Sequence, residues 1–311
     1  MRVTNKMMQN TFLRDLYNNN ANYSKYSQQL TSGNRMLRAS DDPIGTVRSV
    51  KVRQEQSALE QYQSNVKLGQ NFLKETETAI SEVNTIIQRL QELVGIGASD
   101  LYTTEQKTSA AYEVQQLRDE LVSIGNANFN GQYIFGGYNT TKAPFVTDGN
   151  GGITFNGVDL ATQSADLTKQ QSQELNYKID TSTFFPVSVN GANLFGTGED
   201  NIYTMLDNLS KDMMDDTKTS DDLSQYKIKI DTALSKNLSI LTEVGGRCAR
   251  LELVESRFDD NAQNLEEKCS DIEDIDQAET ITNYKFAEAA YNEALAVGAQ
   301  IIQLSLLDYL R

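Results

Sequence analysis

Histidine and tryptophan are absent from all 311 residues. Without histidine, the chain lacks the commonest general base and a leading metal ligand, and acyl-transfer triads of the Ser-His-Asp kind are excluded. Only two cysteines occur, Cys248 and Cys269, too few for a disulfide framework. Three prolines in the whole chain leave room for long unbroken helices. No stretch approaches the roughly 20 consecutive apolar residues of a membrane-spanning helix. The opening MRVTNKMMQNTFLRDLYNNN holds no apolar core of the length a secretory signal needs. Positive charge is also short. The formal net charge is −15, which argues against nucleic acid as a partner. Composition alone reads as a cytosolic protein with no cofactor and no membrane insertion.

What is abundant is a seven-residue repeat. Leu59, Tyr62, Val66, Gly69, Leu73, Thr76, Ile80, Val83, Ile87, Leu90 and Val94 alternate in steps of three and four. They predict one helix about 54 Å long at 1.5 Å per residue, ended by the glycines of GIG at 95–97. A second helix carries Ala110, Val114, Leu117, Leu121 and Ile124, with Gly125 at its end. A third runs from about Ile230 into the 270s, striped by Leu234, Leu241, Val244, Cys248, Leu251, Phe258, Ala262, Leu265, Cys269 and Ile272. The two ends repeat the theme. Phe12, Leu16, Asn19, Tyr23, Tyr26 and Leu30 share a face, and so do Ala287, Ala290, Ala294, Val297, Ile301 and Leu304. A sustained period near 3.5 predicts helices packed lengthwise.

From Asn126 to about Asp200 the pattern changes. GQYIFGG, GGITFNGV and FFPVSVNGANLFG read as short strands between turns. The fold class expected is therefore mainly α with a small β-rich insertion. Arms far apart in sequence would meet as a long antiparallel helical bundle or coiled coil. Charge is uneven as well. Residues 1–55 hold nine Lys or Arg against four Asp or Glu, whereas 259–279 hold nine Asp or Glu against one Lys. Solvated helix faces explain such runs, and an acidic arm meeting a basic arm, within one subunit or between neighbours, is the sharper reading.

No constellation of reactive groups emerges. Asp41 and Asp42 are adjacent, but a metal site usually needs three or more converging ligands. Gly33 permits a bend, Ser40 or Asp41 can cap a helix that starts near Pro43, and proline suits a first helical turn. Cys248 and Cys269 lie on one stripe, about 31 Å apart along a straight helix, far beyond the roughly 7 Å that a disulfide spans.

Four stretches together resemble the flagellin superfamily. LTSGNRMLRASDDPIG at 30–45 is similar to the family's N-terminal motif with its paired aspartate. VGGRCARLE from Val244 resembles the glycine-then-arginine segment of its C-terminal long helix. NANFNGQYIFGGYNTTKAPF from Asn126 and the ending IIQLSLLDYLR resemble the hook-associated branch. Pro43 points the same way, because filament flagellins usually carry alanine there. Thr31 stands where the family usually has its first serine, and Cys248 where it usually has a polar residue.

The resemblance implies a structural subunit without catalytic, cofactor or metal residues. It would be exported unfolded, with a chaperone, through the flagellum's type III apparatus, and so be extracellular without a cleavable signal. It would polymerise as a ring between the first hook-associated protein and the flagellin filament, where filament assembly and motility require it. Residues 1–40 would form a helix and a spoke, and 279–311 the helix that pairs with it in an inner coiled coil. Residues 41–130 and 201–278 would be the two arms of a helical body, with 131–200 inserted between them. Phe12, Leu16, Tyr23 and Leu30 would face Val297, Ile301 and Leu304 in the inner coil. Gly33, Arg35, Asp41, Asp42 and Pro43 would shape the spoke, the aspartates pairing with Arg35, Arg38 or Arg48. Three rivals stay open: a filament flagellin, a secreted type III tip or translocator protein, and an enzyme using Asp159, Glu174 or Asp180 of the insertion.

Overall fold

A computed structural model describes residues 5–99, 101–148, 152–162, 165–171, 173–198, 201–215 and 217–309, with side chains left aside at 5–6, 165, 170–171 and 300–309. Its long helices are α1 (Asn5–Ser32), α2 (Pro43–Gly97) and α3 (Thr104–Gly125). A β-containing segment follows, with β1 (Asn128–Phe129), β2 (Gln132–Tyr133), β3 (Phe145–Thr147), β4 (Ile153–Phe155) and β5 (Val158–Asp159). Next come α4 (Ala165–Gln171), β6 (Asn176–Lys178), β7 (Phe184–Pro186) and α5 (Gly191–Phe195). The chain closes with α6 (Ile202–Met214), α7 (Ser220–Glu273) and α8 (Gln277–Tyr309). The expected fold class is the observed one.

The chain forms two compact units, residues 60–259 and residues 1–59 with 260–311. In the first, the heptad of α2 is the core. Val66, Leu73, Thr76, Ile80, Val83, Ile87, Leu90 and Val94 are all buried there. Burying this column removes several side chains' worth of apolar surface from water, at roughly 1.5–3 kcal/mol each. A helix of this length is stable through such packing rather than through propensity. α3 adds Ala110, Val114, Leu121 and Ile124, and α6 adds Ile202, Met205, Leu206, Leu209 and Met213.

Three elements differ from the sequence expectation. α7 starts at Ser220, ten residues before Ile230. The start is set by a cap: Thr219 donates its N–H and hydroxyl to the Asp222 carboxylate at 3.1 and 2.8 Å, and accepts the Asp222 N–H at 3.3 Å. Lys227 and Lys229 break the apolar pattern over that first stretch and hid it. α6 is a separate helix, begun by Asn201, which accepts the Thr204 N–H at 2.8 Å. NGANLF, expected as strand, is α5, capped by Asn190 on the Ala192 N–H at 3.0 Å. Gly191 is required there, since a Cβ would lie 2.7 Å from the Phe145 ring.

The strands are short. β1 pairs with β2, β4 pairs with both β3 and β5, and β6 pairs with β7, all antiparallel. Asn130-Gly131 and Asn156-Gly157 take positive φ at the tight turns, as that dipeptide does in hairpins. Phe145 is the centre of this segment's core, 5.2 Å from Phe155 and 4.3 Å from Phe195 between ring centroids.

Candidate functional site: the elbow and the terminal helix pair

α1 ends because Gly33 takes φ +75°, a left-handed value that costs glycine no Cβ clash. Its N–H closes onto the Gln29 carbonyl at 2.8 Å. The chain then lies against the end of α7. The Arg35 N–H donates to the Glu273 carbonyl at 2.6 Å, and the Ile275 N–H to the Gly33 carbonyl at 3.1 Å. Asn34 and Asp274 complete this as an antiparallel bridge. Buried Gln29 supports the bend by donating its amide to the Arg35 carbonyl at 2.6 Å.

The paired aspartates divide the turn between them. Asp41 accepts the Arg38 backbone N–H at 2.9 Å, and Asp42 accepts the Gly45 N–H at 2.9 Å. Asp42 is therefore the cap of α2, with Pro43 as its first helical residue. The sequence reading placed the cap at Ser40 or Asp41. It moves because only the residue directly before Pro43 can reach the free N–H groups of that first turn. A Cβ on Gly45 would lie 2.4 Å from the Asp42 carboxylate and 2.8 Å from the Met36 sulfur, so glycine lets the cap close. Arg35 pairs with Asp42 at 3.3 Å, an exposed contact that contributes little. The Arg38 and Arg48 side chains are exposed.

Glu273, the last residue of α7, was not singled out from the sequence. Its carboxylate accepts from the Ser49 hydroxyl and from Arg53 Nε, the latter at 2.7 Å. The second arm of the guanidinium makes the contact bidentate. The hydrogen bond from Arg53 is the main reason its pKa is held down to about 2. One residue thus ties α2 by its side chain and the elbow by its carbonyl.

α1 and α8 pack antiparallel. Tyr23 stacks on Tyr284 and Tyr291, with ring centroids 5.3 and 5.8 Å apart, and its hydroxyl lies 3.2 Å from that of Tyr284. Phe12 lies over Gly298, where a Cβ would come within 2.5 Å of its ring. Phe12, Leu16, Asn19, Tyr23, Tyr26 and Leu30 are all half-buried on the expected face of α1. On α8 the seam differs from the expected one. Val297 is 50 % exposed, and the buried position is Gly298. Thr280 and Gly298 are buried, and Tyr284, Ala287, Ala290, Tyr291 and Ala294 are half-buried. Counting apolar residues pointed to Val297, but the packing selects the residue whose missing side chain admits Phe12. The Ile301 and Leu304 side chains lie outside the described residues.

In the other unit, Arg247 anchors the insertion. It donates to the Ser188 carbonyl at 3.1 Å, to Glu174 at 3.2 Å and to Glu243 at 2.6 Å. Arg250 sits 5.2 Å above the Phe185 ring. Glu174 is thus part of a structural clamp. Asp159 accepts from Ala161 and Thr162, and Asp180 from Thr181, each within its own turn. Among the described residues no three Cys, Asp or Glu converge as metal ligands, and no helix is long and apolar enough to cross a membrane. Cys248 and Cys269 are both free thiols on α7, pushed up in pKa first by burial.

A helical body built from segments far apart in sequence, and N- and C-terminal helices that pair with each other, define a class. The Bacterial flagellin N-terminal helical region matches residues 3–140, and the Bacterial flagellin C-terminal helical region matches 227–310. The chain belongs to the bacterial flagellin family. Within that family it is similar over its full length to flagellar hook-associated protein 3. The protein of that name from Escherichia coli (strain K12) is 27% identical over 99% of both chains, and that from Salmonella typhimurium 24% identical, also over 99% of both. The flagellin of Bacillus subtilis is 27% identical over 91% of this chain and 90% of its own. The fold is shared with a putative flagellar hook-associated protein from Vibrio parahaemolyticus, with TM-score 0.66 and 21% identity over 75% of this chain and 100% of that one. It is shared too with flagellar hook associated protein-3 from Legionella pneumophila, with TM-score 0.61 and 14% identity over 71% of this chain and 98% of that one.

Proposed function

We propose that this chain is the structural subunit joining hook and filament in a bacterial flagellum, needed for filament assembly and motility. The observation that carries the reading is end-to-end similarity to flagellar hook-associated protein 3, over 99% of this chain and of each relative. The subunit works by assembly. Copies form a ring between the first hook-associated protein and flagellin, outside the cell, after chaperone-assisted export through the flagellar type III apparatus without a cleavable signal. Phe12, Leu16, Tyr23 and Leu30 on α1, with Ile301 and Leu304 on α8, contribute to the inner coil of that ring, and Val297, exposed in the single chain, meets a neighbouring copy. Gly33, Arg35, Asp41, Asp42 and Pro43 form the spoke that leads from residues 1–40 and 279–311 to the helical body of 41–130 and 201–278. Residues 131–200 make an outer insertion.

A narrow pair of helices with exposed apolar residues on its outer faces supports the assembly role. Leu13, Tyr17, Ile281 and Phe286 are all large and solvent-facing in the single chain. Deleting the gene tests the whole reading. Cells should keep the hook, lose the filament and release flagellin into the medium. Filaments of normal length in the deletion strain would overturn it. Assembly of the purified chain alone into long filaments would favour the filament-flagellin rival.

A further inference from the structure

Asn84 on α2 and Asn237 on α7 are the two buried asparagines whose side chains stand apart. They are 5% and 0% exposed, and all four of their polar side-chain atoms are buried without a hydrogen-bond partner among the described residues. An unpaired buried amide is costly, so each needs a partner. The surrounding contacts supply the register. Gln63 donates to Asp259 at 3.0 Å, Gln70 to Glu255 at 2.8 Å and Gln91 to Asp231 at 2.6 Å. These contacts run antiparallel, and the α2 residues fall seven apart or a multiple of seven. Asn84 occupies the same column, seven before Gln91. Asn237 lies six beyond Asp231. At 1.5 Å per residue the two asparagines stand within about one helical turn of the same level.

We propose that Asn84 and Asn237 are linked across this seam through one shared water, and that the link sets the register of α2 against α7. A device is needed because the apolar column of α7 recurs with a seven-residue period. Leu223, Ile230, Val244, Leu251 and Phe258 are buried at that spacing, and Asn237 is the polar member among them. A slide of one heptad would keep apolar residues against apolar residues. Of the outer glutamine–carboxylate contacts, Gln63–Asp259 and Gln91–Asp231 are exposed and Gln70–Glu255 is part-buried, so water can satisfy most of these groups if they part. The slide would, however, set Asn84 against Ile230 or Val244 with nothing to bond. A single polar residue at a core heptad position specifies register in this way, at some expense in stability.

The full-length chain carrying Cys248→Ala and Cys269→Ala allows a direct test. Gln91→Cys is combined with Asp231→Cys for the native register, or with Leu238→Cys or Ser224→Cys for a slide of one heptad, and a short bis-maleimide is added. With both asparagines present, only the 91–231 pair should cross-link. In Asn84→Leu/Asn237→Leu the 91–238 or 91–224 pair should cross-link too. A double-leucine chain that links only 91 to 231, or that does not fold, overturns the proposal. Melting gives a second reading. Each single substitution should lower Tm by roughly 5 °C, and the double variant should melt above either single one. Strictly additive losses would show that the two asparagines do not interact.

Discussion

Replacing Glu273 by glutamine removes one charge and keeps the shape of the residue that holds the elbow to α2. The native carboxylate is lowered from 4.5 to about 2, chiefly by the hydrogen bond from Arg53. A shift of that size corresponds to about 3 kcal/mol if taken at face value. Its side chain is only 12% exposed, but that of Arg53 is 63% exposed, so solvent screens the pair. After that discount, the loss expected for Glu273→Gln at pH 7 is roughly 1–2 kcal/mol. The sign follows from the depressed pKa. The contribution is complete above the unfolded value of 4.5 and disappears as pH falls toward about 2. Urea unfolding followed by far-ultraviolet circular dichroism, run from pH 7 to pH 2.5 on both chains, measures this. The two stabilities should differ by a constant amount above pH 5 and converge in acid. Equal stability at pH 7, or a difference that persists undiminished at pH 2.5, would refute the account of Glu273.

Three further outcomes follow from other contacts. Gly298→Val places a branched side chain where even a Cβ lies 2.5 Å from the Phe12 ring, so it should force α1 from α8 at a cost of about 1–3 kcal/mol. Near-ultraviolet circular dichroism of the Tyr23–Tyr284–Tyr291 stack would report the separation. Arg247→Ala leaves the Ser188 carbonyl and Glu174 without their shared donor, which should destabilise the β6–β7 hairpin by about 1–3 kcal/mol. Limited proteolysis should then cut between residues 160 and 190 faster than in the native chain, while α2 stays intact. Thiol titration in denaturant without reductant should find both Cys248 and Cys269 free. In the native state both should react slowly at pH 7 and faster as pH rises, because their thiolates form late.

The sequence by itself determined the long elements and their inward faces. The column from Val66 to Val94 is buried as its spacing requires, since a seven-residue period leaves a helix one face to hide. Gly33 as a bend and Pro43 as a helix start were legible from backbone chemistry alone, as was the half-buried face from Phe12 to Leu30. What it could not carry is every choice made by a distant partner. Glu273 belongs to a run of nine acids, and nothing local separates the one that meets Ser49 and Arg53 from those that meet water. The cap passed to Asp42 because the fold begins the helix at Pro43 and leaves Asp41 to the turn before it. Gly298 took the seam position expected of Val297 because the Phe12 ring needs the space that a missing side chain leaves. Periodicity measures which face of a helix is apolar. Which residue on that face touches its partner is decided by the volumes and lone pairs that the partner brings.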